Sequence, residues 1–105
     1  MINAKEEFLN VVKKVEPEIV LCAELDFGGG VIAILVTDYT PEQYEQFLKE
    51  IDRDYDDGWG TQNLYGLLWI TGGCWVERTT YDGSEWWVLR KCPEIPEHLF
   101  NTIKN

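Results

Sequence analysis

Four aspartates, Asp52, Asp54, Asp56 and Asp57, crowd one short segment, and alternating carboxylates of this kind can converge oxygens on a hard cation such as calcium. With Asp52 as first ligand, Asp57 falls where the sharp turn needs glycine and Asn63 falls where a bidentate glutamate is needed. The run therefore reads as a solvated acidic loop. Two carboxylate pairs, Asp57 with Glu77 and Asp82 with Glu85, would suit acid–base work, and tryptophans beside acids occur in sugar-binding clefts. Their spacing does not separate them from ordinary surface acids. His98 has no positioned nucleophile around which a triad could be built. The triple glycine, Gly28 to Gly30, lacks the lysine and the following helix of a phosphate loop, so it reads as a turn. No catalytic residue, metal ligand or cofactor is assigned.

Cys22, Cys74 and Cys92 are odd in number and lack C-x-x-C spacing, which favours free thiols, a reducing compartment and hence the cytoplasm. The opening "MINAKEEFLNVVKK" is charged throughout and reads as neither signal peptide nor anchor. A length of 105 residues suits one domain with one core, and the 45% apolar and 13% aromatic content excludes a disordered chain. Nine basic against nineteen acidic residues, a net charge of −10, repel phosphates. Nucleic acid and anionic membranes are therefore poor partners, and a basic protein surface is a better one.

The elements that must position these residues follow from periodicity. Asn3 with Glu6 forms a capping box for a helix running to about Lys14, with Phe8, Val11, Val12 and Val15 at helical spacing. Two β-branched runs flank the triple glycine and predict a hairpin. With all three glycines in the loop, Leu25 faces Ala33, and Ile19, Leu21, Ala23, Leu25 and Phe27 share a face with Val31, Ala33 and Leu35. A two-glycine loop would reverse that pairing. Thr40, Pro41 and Gln43 start a second helix whose stripe is Tyr44, Phe47, Leu48 and Ile51. Residues 52 to 62 read as a loop.

From Asn63 a three-stranded meander is expected, with Gly72-Gly73 and Asp82-Gly83 as two-residue turns. That count aligns Trp69, Val76 and Leu89, and then Leu67, Arg78 and Trp87, on a first face that takes the helices. The second face receives Ile70, Trp75 and Arg90, then Leu68, Glu77 and Val88, then Gly66, Thr79 and Trp86. Arg78 beside Trp87 invites a cation–π contact, and Glu77 with Arg90 an exposed ion pair. Pro96 opens a short C-terminal helix with Leu99, Phe100 and Ile103. The fold class is α+β, an antiparallel five-stranded sheet with helices on one face, in order α-β-β-α-β-β-β-α.

The stretch "DGWGTQNLYGLLWITGGCWVERTTYDGSEWW" resembles small proteins encoded by bacteriophages and prophages, through its L-Y-G-x-x-W, G-G-x-W-x-x-R and Y-D-G-S-E-W-W segments. The likeness covers about a third of the chain. It implies a stoichiometric binder of a host protein and carries no catalytic role. Trp59, Trp75, Tyr81, Glu85 and Trp86 are the candidate binding surface, for a protein partner or a second copy of the chain in a homodimer. The alternative is a small-molecule or carbohydrate binder, or a weak hydrolase, built on Trp59, Glu85 and Trp86.

Overall fold

Asn3 ends a two-residue strand, β1 (Ile2–Asn3), and its side chain accepts a hydrogen bond from the Glu6 amide to cap α1 (Ala4–Val15). The helix then buries Ala4, Phe8 and Val15, with Val11 and Val12 partly covered. Strands β2 (Val20–Asp26) and β3 (Ile32–Leu35) form the hairpin, and α2 (Pro41–Glu50) follows with the Thr40/Gln43 capping box complete. A second two-residue strand, β4 (Asp54–Tyr55), pairs with β1. The meander is β5 (Tyr65–Ile70), β6 (Cys74–Tyr81) and β7 (Ser84–Lys91). The computed structural model describes residues 2–55, 64–81, 84–92 and 98. The C-terminal helix expected from Pro96, with Leu99, Phe100 and Ile103, lies outside them.

The α+β expectation holds: five antiparallel strands in the order β3-β2-β5-β6-β7 present one face to both helices. Ala23, Leu25, Ala33, Leu35, Leu68, Ile70 and Val76 from the sheet meet Phe8, Phe47, Leu48 and Ile51 from the helices and the residue after α2. The hairpin takes the three-glycine register, Leu25 opposite Ala33 and Ala23 opposite Leu35. Ile19 and Leu21, expected beside them, are exposed instead. A bulge between Val20 and Cys22 changes the parity of β2 and turns Val20 inward in their place.

The meander departs from expectation at one turn. Thr71 is part of it, so Ile70 pairs with Cys74, Trp69 with Trp75, Leu68 with Val76 and Leu67 with Glu77. Thr71 is held to Ile19, just ahead of β2: its amide donates to the Ile19 carbonyl and its hydroxyl accepts from the Ile19 amide, both at 3.0 Å. Gly72 and Gly73 then turn the chain at φ of 79° and 74°. One extra turn residue reverses β5, so Leu68 and Ile70 are core while Leu67 and Trp69 face out. The β6–β7 register is the expected one, with Arg78 opposite Trp87 and Thr79 opposite Trp86.

Gly66 sits where β5 passes under Trp87. A Cβ there would lie 2.5 Å from the Glu24 carbonyl oxygen and 3.1 Å from Trp87 Cη2. Gly66→Ala must therefore push β5 from β2 or displace the indole, at a cost of about 1–3 kcal/mol. A urea melt measures it, and an unchanged midpoint would show that the sheet yields freely there.

Candidate functional site

The reversed β5 gives the sheet an outer face that neither α1 nor α2 covers, and no other helix lies on it among the described residues. Reading across the strands, one row holds Ile34, Glu24, Leu67, Glu77 and Val88. On one side of it lie Cys22, Trp69, Trp75 and Arg90, and on the other Ile32, Asp26, Tyr65 and Trp86. Ile32, Ile34, Tyr65, Leu67, Trp69 and Trp86 are between 37% and 57% exposed. Scattered apolar side chains on a surface need no explanation, but six large ones on a single sheet face do, even with Glu24, Asp26 and Glu77 set among them. Glu77 accepts a hydrogen bond from Arg90 Nε at 2.7 Å, an exposed pair of little energetic value.

No family model, curated protein or solved structure matches the chain.

Of the residues expected to form a binding surface, Trp75 and Trp86 share the outer face, at opposite ends of the β6–β7 ribbon. The backbone of Tyr81 pairs with Ser84 at the end of β6, and Trp59 lies outside the described residues. Glu85 does not belong with them. It pairs with Thr80, points to the helix side and is buried. Alternation along β7 requires this, since Trp86 is its neighbour and faces out. Tyr65, Leu67 and Trp69 also lie on this outer face, and sequence reasoning missed them because the turn that sets their parity includes Thr71.

On the inner side, Glu85 anchors a polar cluster. Arg78 donates to Glu85 Oε1 from Nε at 3.2 Å and from Nη2 at 3.0 Å, and the Leu64 amide donates to the same oxygen at 3.0 Å. Arg78 Nη1 reaches both Glu7 oxygens at 3.4 Å, and Nη2 donates to the Tyr55 hydroxyl, which itself donates to Glu7. The guanidinium lies 5.3 Å from the centroid of the Tyr55 ring and 5.2 Å from the Trp87 ring, so the expected cation–π contact is present. Burial first, and then the hydrogen bond to Glu7, raises the Tyr55 pKa above the ordinary phenol value, which keeps this hydroxyl protonated as a donor. The cluster ties α1, β4, β6 and β7 together.

Two of the four clustered aspartates have structural roles: Asn3 Nδ2 donates to Asp52 Oδ1 and to Asp54 Oδ1, each at 2.9 Å. Asp56 and Asp57 lie outside the described residues. Among the described residues no group of three His, Cys, Asp or Glu side chains is placed to hold a metal ion. Cys22, Cys74 and Cys92 are free thiols, Cys22 and Cys74 half-buried and Cys92 exposed. No helix among the described residues is long and apolar enough to cross a membrane.

Proposed function

We propose that this chain is a non-catalytic protein-binding factor that docks a partner on the outer face of its sheet. The observation that carries the reading is the group of exposed apolar residues Tyr65, Leu67, Trp69 and Trp86, with Ile32 and Ile34 beyond Glu24 and Asp26, on the sheet face opposite the two described helices. Tryptophan and tyrosine contribute large, rigid contact area, and they are enriched where binding energy concentrates. The likeness of residues 57–87 to phage and prophage proteins suits a stoichiometric modulator of a host protein acting in the cytoplasm. The competing reading, a sugar or small-molecule site built on Trp59, Glu85 and Trp86, loses support because Glu85 and Trp86 point to opposite sides of the sheet.

The test compares the intact chain with a Trp69→Ala/Trp86→Ala variant in affinity capture from a bacterial host lysate, with both proteins melted in parallel. Both rings are already about 40% exposed, so the variant should keep its fold with a loss of about 1 kcal/mol per site. It should also lose a stoichiometric partner that the intact chain retains. A partner held equally by both proteins would place binding elsewhere.

A further inference from the structure

On the outer face, strand β2 differs in character from its neighbours. It presents Glu24 and Asp26 between Ile34 and Ile32 of β3 and Leu67 and Tyr65 of β5. Glu77 has Arg90, but no lysine or arginine among the described residues pairs with Glu24 or Asp26. Asp26 uses Oδ1 to accept from the Gly28 amide at 2.7 Å. Beside the two carboxylates lies a depression of about 260 Å³ lined by Glu24, Asp26, Tyr65, Gly66 and Leu67. It combines two negative charges, a half-exposed aromatic ring and an apolar wall, which are the surroundings a long cationic side chain prefers: its stem lies on apolar surface while its head meets carboxylate and ring.

We propose that this depression is the subsite for a lysine or arginine side chain, projected by a basic and otherwise apolar protein surface that lies on the outer face. The inference rests on the protein-binding reading and names its partner's chemistry. Charge complementarity carries it. A second copy of the chain fits poorly, because the outer face's one described base, Arg90, is already bonded to Glu77, and stacking would bring together two chains of net charge −10. A phosphate-bearing partner would be repelled by the same carboxylates.

The probe is an extended peptide alternating lysine and valine, with a glutamate–valine peptide as control, titrated into the isotope-labelled full chain and followed by amide chemical shifts. The lysine peptide should shift the amides of Glu24, Asp26, Tyr65 and Leu67, and the glutamate peptide should not. Glu24→Gln/Asp26→Asn should weaken the lysine peptide at least about tenfold. Glu42→Gln/Glu45→Gln on α2, which removes the same charge elsewhere, should change affinity less than about twofold. Equal losses in the two variants would mean that net charge alone attracts the peptide, and the subsite would be discarded. So would an absence of outer-face shifts, a dimer seen by sedimentation and broken by Trp69→Ala, or contacts of Leu99, Phe100 or Ile103 with Trp69 and Trp86. If the peptide seats on Glu24 and Asp26 while Trp69→Ala/Trp86→Ala loses no captured partner, the subsite stands and the wider docking face falls.

Discussion

Arg78→Ala is expected to cost about 3–5 kcal/mol, a large share of the roughly 5–15 kcal/mol that holds a domain of this size together. The Arg78 and Glu85 side chains are 1% and 2% exposed, so removing the guanidinium takes two hydrogen bonds and an opposite charge from a carboxylate held away from water. Glu7 and the Tyr55 hydroxyl lose the same donor. A lysine offers a single ammonium where Arg78 uses Nε, Nη1 and Nη2, so Arg78→Lys should recover only part of the loss. Replacing both charges with apolar residues, as in Arg78→Met/Glu85→Leu, should cost less than Arg78→Ala alone, because the 2% exposed Glu85 carboxylate is then removed with its cation and only Glu7, 19% exposed, loses the guanidinium. Urea melts of the three variants decide the matter. A loss below about 1 kcal/mol for Arg78→Ala would mean that water reaches the cluster. The raised Tyr55 pKa adds a pH dependence: its stabilisation is complete below the ordinary phenol pKa of about 10 and is lost as pH rises beyond it toward the folded value.

Phe47→Ala should cost a similar amount, about 3–5 kcal/mol, for a different reason. The ring is 1% exposed and meets Phe8 edge-on, with centroids 5.2 Å apart and planes at 70°. Losing it leaves a cavity between the two helices and removes an aromatic pair worth about 0.5–1.5 kcal/mol beyond buried area. A cycle of Phe8→Leu, Phe47→Leu and the double variant isolates that coupling. Additive losses would show that the two rings pack independently.

Legibility from sequence followed how local the signal was. Both helix starts could be read because capping is settled within four residues, as at Asn3 with Glu6 and Thr40 with Gln43. The β6–β7 pairing was legible because Asp82-Gly83 is a strong two-residue turn signal and Trp86 and Trp87 must part. The β5–β6 turn was not, because its length depends on Thr71 bonding to Ile19, which is 52 residues away in the chain. Alternation offered no correction there, since Leu67, Leu68, Trp69 and Ile70 are apolar in both parities. Leu21 misled in the same way, because a bulge is a property of two strands and not of one. Arg78 was recognised beside Trp87, but its partners Glu7 and Tyr55 come from distant segments that no spacing rule connects.

The uniformly apolar β5 poses the same choice to the folding chain. A pairing slipped by one residue against β6 still buries two large side chains, so it competes with the native pairing until Thr71 reaches Ile19. The Thr71–Ile19 bonds thus favour the native register from outside the hairpin's own turn. Weakening the Thr71 anchor, as in Thr71→Ala, should therefore slow refolding more than it speeds unfolding, the signature of a contact already made at the rate-limiting barrier.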